Sequence, residues 1–332
     1  MKFKRLPIVD FLKGYSILTI VLFHLVLGMD ISGVIKTISN FGGAGVHVFV
    51  LCSGFGLYLS HLRKRLGFGY FIKRRLWRVH MPFVMVVLLT VLVPWYKFDI
   101  GAFLSNIFFY KMFFEDWNCA YGGQMWFVSM IVQMYLLFPF LANMFDRSKL
   151  NRGGQIRLVV CAVGISLVWA TVVAVLGKSE IRIWNSFCLQ FLWEFVLGMW
   201  LALIYSEEGK LLIPSKKVLL IAALLGIGIT GITGKIGGWL KLYNDIPSLI
   251  GYGSLALLIY SLNVRNLNRF FEYTCKFSYE WYLIHILIFG IVFHFAGEGT
   301  IACISALITS YFAAILFHEL VARIYKIKVW TK

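Results

Sequence analysis

Residues 7–25 read PIVDFLKGYSILTIVLFHL, and this stretch decides the fold. It is apolar enough, and with its neighbours long enough, to cross a bilayer as a helix. Yet it carries Asp10, Lys13 and His24. Lipid cannot solvate an ionisable group, so such groups face a bundle interior or a water-filled cavity. Lys13 and His24 are eleven positions apart. At about 100° per residue they fall within about 20° of each other around the helix, roughly 16 Å apart along its axis. One helix face therefore presents a cation low in the membrane and an imidazole past its middle.

The rest of the chain extends this pattern. Of 332 residues, 60% are hydrophobic and 14% charged, whereas a soluble domain is about a quarter charged and under half apolar. That balance excludes a water-soluble enzyme, a disordered chain and a nucleic-acid-binding domain. Apolar runs predict about ten transmembrane helices, near 8–29, 42–62, 80–97, 124–145, 157–177, 184–205, 217–234, 246–262, 277–295 and 300–322. The expected fold is all-α: one polytopic membrane domain over 1–332, with no appended soluble domain and no cleaved leader.

The net charge of +17 follows the topology. With both termini cytoplasmic, 24 Lys and Arg lie inside and seven outside: Lys36, Lys97, Lys111, Lys178, Arg182, Lys235 and Lys241. That asymmetry obeys the positive-inside rule. The six cysteines form no C-x-x-C pair, and most sit in apolar runs, so they read as small hydrophobes and no metal site is expected.

Several polar residues call for a chemical reading. Lys13 reads either as a snorkelling anchor paired with Asp10 or as a cation for a ligand. His24 reads either as a helix–helix hydrogen-bonding group or as a general base, since neutral imidazole can accept a proton from a hydroxyl. The segment at 61–82, HLRKRLGFGYFIKRRLWRVHMP, sets Arg74, Arg75 and Arg78 at helical spacing where a span begins. These anchor the membrane surface or grip phosphates through bidentate guanidinium contacts. Glu194 is expected to face the bundle, and His318 and Glu319 to snorkel.

These features, in this order, resemble the acyltransferase-3 family of bacterial integral-membrane acyltransferases. Asp10, Lys13 and His24 match its opening Asp-x-x-Arg and His motif, with Lys in place of Arg. GVHVFVLCSGF, containing Gly45, Ser53 and Phe55, matches a second motif, with His47 where the family commonly has Asp. Arg74, Arg75, Arg78 and Pro82 match a basic element. WFVSMIVQMYLLFPFL matches a Trp-led span through Trp126, Ser129, Tyr135 and Pro139, although Ile131 and Val132 replace a frequent Glu pair. FSYEWYLIH supplies Tyr282 and His285.

The resemblance implies an O-acyltransferase in the bacterial cytoplasmic (inner) membrane. It would move an acyl group, commonly acetyl, from cytoplasmic acyl-CoA to a hydroxyl of a cell-surface glycan or its lipid-linked precursor. His24, Lys13 and Asp10 would be catalytic, and Arg74, Arg75 and Arg78 would bind the acyl-CoA. Ser53, Trp126, Ser129, Tyr135, Tyr282 and His285 would contact the acceptor or support those that do. No permanently bound cofactor is expected; acetyl-CoA is a co-substrate, membrane lipids are partners, nucleic acid is not, and self-association is compatible with the sequence. Direct transfer and an acyl-His intermediate both remain open. The competing reading is a multi-span transporter using intramembrane His, Lys and Glu, against which stands the absence of detectable inverted halves.

Overall fold

The structure, a computed structural model, describes residues 6–27, 29, 41–148, 151–211, 213–297 and 299–330. Lys2, Lys4, Arg5, Lys36, Lys149 and Lys332 of the charge count lie outside these residues. The described residues contain helices and turns but no strand.

Helix α1 spans Pro7–Leu27. Pro7 suits the first helical position, where a missing N–H costs nothing and φ is already helical, and Asp10 complements the dipole of the first turn. A 3-10 turn at Phe41–Ala44 leads into α2 (Gly45–Arg63), which is followed by α3 (Phe68–Val91) and the short α4 (Ile100–Ile107). Next come α5 (Trp126–Ser148), α6 (Arg152–Val175), a single turn α7 (Arg182–Asn185) and α8 (Leu192–Glu208). The chain ends with α9 (Lys216–Ile236), α10 (Asp245–Ser261), α11 (Arg265–Thr274), α12 (Ser278–Ala296) and α13 (Thr300–Trp330).

Among the described residues, seven helical stretches are long and apolar enough to cross a membrane: Pro7–Leu27, Phe41–Arg63, Gly123–Ser148, Arg152–Val175, Lys216–Ile236, Arg265–Ala296 and Thr300–Lys326. The other three expected spans map onto shorter or more charged helices. The span at 80–97 is the apolar half of α3, whose first half carries Lys73, Arg74, Arg75 and Arg78. The span at 246–262 is α10, 17 residues long. The span at 184–205 is broken: α7 ends at Asn185 and α8 starts only at Leu192. Gln190, in the intervening turns, donates to the carbonyl of Leu242 at 2.7 Å and holds this segment against the turn before α10.

Several helices present rows of large apolar side chains outward, including Val160, Val168 and Val175 on α6, Leu224, Leu225 and Ile232 on α9, and Ile301, Phe312 and Leu316 on α13. Such a surface would be a liability in water and is the expected lipid-facing wall of a bundle.

The interior is set by close helix crossings. A Cβ placed on Gly54 of α2 would lie 2.0 Å from the Phe195 carbonyl oxygen of α8, and one on Gly198 of α8 would lie 2.0 Å from the Leu51 oxygen of α2. Two glycines on facing helices thus let the backbones touch, as small residues do between membrane helices. Gly14 of α1 meets the Phe271 carbonyl of α11 in the same way, at 1.9 Å. Residues Arg265–Thr274, between two of the expected spans, are helical and packed against α1, with Phe271 edge-on to Phe11 at 5.0 Å.

Polar ties complete the packing. Asp146 on α5 receives Tyr58 at 3.2 Å, His61 at 3.0 Å and Arg65 at 2.9 Å, joining α5 to the end of α2. His318 on α13 lies 3.1 Å from Glu280 on α12, so it makes an interhelical contact rather than merely snorkelling. In the loop before α5, Lys111 is fully buried and donates to the carbonyls of Ala120 at 2.7 Å and Gly122 at 2.8 Å. Its side chain is therefore a loop strut and not a solvated cation.

Candidate functional site

Helices α1 and α12 cross inside the bundle and bring two histidines together. His285, on α12, is fully buried, and its Nδ1 lies 3.0 Å from the carbonyl oxygen of Trp281, one turn back. A carbonyl only accepts, so Nδ1 carries the hydrogen, which leaves Nε2 of a neutral His285 as an acceptor. That Nε2 lies 3.1 Å from Nδ1 of His24. His24 therefore donates through Nδ1, and its own Nε2 keeps the free lone pair. The result is an oriented imidazole: one ring nitrogen is held by a neighbour, and the other is free to take a proton.

Below this pair lies a cavity of about 170 Å³. Lys13 and Ile20 of α1, Ser53 of α2, Tyr135 of α5 and Tyr282 of α12 contribute to its wall. Four of the expected site residues, Lys13, Ser53, Tyr135 and Tyr282, thus meet around one space. His24 does not line it. The wall reaches Ile20 and Tyr282, and the Tyr282 ring sits 6.1 Å from that of His285. Lys13 and His24 share a helix face as expected, but of the two only Lys13 is among the residues that line the cavity. Tyr282 is fixed by donating its hydroxyl to the Gln124 carbonyl.

The three arginines part company. Arg74 and Arg78 are exposed, while Arg75 is half-buried over the ring of Phe71 at 5.9 Å. Arg75 lines a recess of about 100 Å³ with His61 and Lys64, and it interacts electrostatically with Tyr135 of the larger cavity. Asp10 and Lys13 line different recesses: Asp10 lies in one beside Arg63 and accepts from the Cys275 thiol at 3.5 Å. Trp126 is also elsewhere, stacked on Phe191 at 5.9 Å with the Arg182 guanidinium 5.2 Å from its ring. Ser129 is buried on α5 and takes no part in the cavity wall. Ile131, standing where the family often has Glu, does line it.

Sequence reading missed a second polar cluster. His47 of α2 lies 2.7 Å from Glu194 of α8 through Nδ1 and 3.8 Å from Asp245 of α10 through Nε2. Each of the three sits in the first turn of its helix. Nothing in their sequence spacing links them; the available signals were His47 standing where the family motif has an acid and Glu194 lying in an apolar run.

Compared with known proteins, residues 6–319 match the family model Acyl_transf_3, described as an acyltransferase domain. No curated protein and no solved structure matches the chain.

Proposed function

Because the chain belongs to the acyltransferase-3 family, a membrane acyltransferase assignment that covers almost its whole length, we propose that it is an acyl-CoA-dependent O-acyltransferase. Its donor is acetyl-CoA or a close relative, and its acceptor is a hydroxyl of a cell-surface glycan or a lipid-linked precursor. The observation that carries this reading is the pairing of His24 with His285. It supplies what hydroxyl acylation needs, a proton acceptor whose tautomer is held by a second group, the logic that operates wherever a base is oriented by a neighbour.

In this scheme His24 Nε2 takes the proton of the acceptor hydroxyl as its oxygen attacks the thioester carbonyl. The tetrahedral species collapses with breakage of the C–S bond. The proton passes from His24 to the departing thiolate, so the products are an ester and free CoA. His285 acts as a positioning residue, since its Nε2 accepts from the Nδ1–H of the transient His24 imidazolium. Arg75, with the exposed Arg74 and Arg78 beside it, supports the reading as a grip for CoA phosphates. Lys13 supplies a cation in the cavity wall through which the pantetheine arm would approach. Because His24 does not itself line that cavity, productive binding requires wall residues such as Tyr282 or Ile20 to move.

The test is direct. Purified protein in detergent, given acetyl-CoA and glycan prepared from cells lacking the gene, should release free CoA only when both are present. Mass spectrometry of the glycan should gain one acetyl increment per modified hydroxyl. CoA release that ignores the acceptor, or an unmodified glycan, overturns the assignment.

A further inference from the structure

The cluster at His47, Glu194 and Asp245 lies apart from the histidine pair and plays no part in the proposed transfer. We propose that it is a binding site for one divalent first-row transition-metal ion of the zinc class. One potential ligand atom from each residue lies within 4.8 Å of the other two. The 3.8 Å from His47 Nε2 to Asp245 Oδ1 is a separation that two ligands can adopt when each is about 2.0–2.2 Å from a shared ion.

Two further observations point to a missing ligand. Glu194 is fully buried, and its Oε2 has no hydrogen-bond partner although Oε1 contacts His47. Gln190, 3% exposed, likewise has an unpartnered buried Oε1. Its Nε2 donates to Asp245 Oδ2 at 2.7 Å, which holds that carboxylate in place and leaves Oδ1 turned to His47. Buried acceptors without donors are costly, and a bound cation satisfies several acceptors at once.

A divalent ion also balances the charge. Two carboxylates with a protonated imidazole leave one net negative charge inside the bundle, whereas two carboxylates, a neutral imidazole and a divalent ion sum to zero. An imidazole with two carboxylates suits zinc, manganese or iron better than the all-oxygen sites of calcium or magnesium. The His47 and Asp245 side chains are 12% and 15% exposed, so the cluster is not wholly sealed. Three protein ligands leave a fourth position for water or for Gln190 Oε1. The ion would pin the first turns of α2, α8 and α10 together, and Val46, next to His47, lines the Lys13 cavity.

The experiment uses the full chain, purified without a histidine tag, stripped with a chelator and dialysed against ZnCl₂ or MnCl₂. Elemental mass spectrometry should find one equivalent of metal per chain. Glu194→Gln and Asp245→Asn should weaken retention by about tenfold or more, whereas His24→Ala should retain the full equivalent. Added metal should also raise the unfolding temperature of the wild type and not that of the two variants. Should those variants fail to fold, X-ray absorption on the wild type still decides, with a nitrogen and oxygen shell near 2.0–2.1 Å expected. No retained metal, equal retention in both folded variants, or sulfur in the first shell overturns the site.

Discussion

The Nδ1 of His24 meets the Nε2 of His285 at 3.1 Å, across 261 residues of sequence. Because the Trp281 carbonyl already fixes the His285 tautomer, this contact sets which nitrogen of His24 is available to a substrate. The two residues should therefore fail in different ways. His24→Ala should abolish transfer, with membrane insertion and elution volume unchanged. His285→Ala should lower kcat by about 10²-fold or more, in line with the worth of an oriented general base, while the KM for acyl-CoA changes little. Steady-state kinetics on both variants checks this; an unchanged kcat in His285→Ala means that the pair only packs the helices.

Arg75 is the half-buried member of the basic group, whereas Arg74 and Arg78 are exposed. A charged hydrogen bond is worth about 1.5–3 kcal/mol, so Arg75→Ala should raise the KM for acyl-CoA by about ten- to a hundredfold. Arg74→Ala should cost less, since an exposed contact is screened and lost cheaply. Donor titrations on both variants measure the difference. Equal, small effects would reduce the segment to a membrane anchor.

What the sequence reveals and what it hides divide along a physical line. Positions on one helix are related by a fixed angle per residue, so the shared face of Lys13 and His24 is readable before any fold is known. An ionisable residue in an apolar run also announces that it faces the interior. Its partner is another matter, because His285, Glu194 and Asp245 are brought to their neighbours by helix crossings that only packing decides. The glycine contacts that set one of those crossings, Gly54 and Gly198, look in sequence like any other small residues. Lys111 misleads for the opposite reason. A lysine in a loop is normally solvated, and only the folded loop shows two carbonyls closing around it.

The Gly54–Gly198 crossing makes a stability prediction. A methyl group at either position would enter the partner's backbone at 2.0 Å, and neither backbone can move without separating α2 from α8. Overpacking of this kind costs about 1–3 kcal/mol and sometimes more. Gly54→Ala and Gly198→Ala should each lower the unfolding temperature in detergent, whereas Gly56→Ala, whose added Cβ would meet nothing within 4 Å, should not. Melting curves of the three variants compare the same substitution on one helix pair.

Lys111 gives the chain a pH-dependent stability term with a definite sign. Burial pulls its amine from the ordinary lysine range down to about 7. A neutral amine has two N–H groups, which match the carbonyls of Ala120 and Gly122. Between about pH 7 and the ordinary value of 10.5 the unfolded chain holds a proton that the folded chain has released, so stability should rise with pH across that window and the penalty should be fully present below it. Lys111→Met removes the titrating group and also leaves both carbonyls without their donor, so it should be less stable at high pH and its unfolding temperature should climb less between pH 7 and 9. Parallel melting curves for wild type and variant across that range isolate the lysine from every other titrating group, since only the difference between the two slopes belongs to it.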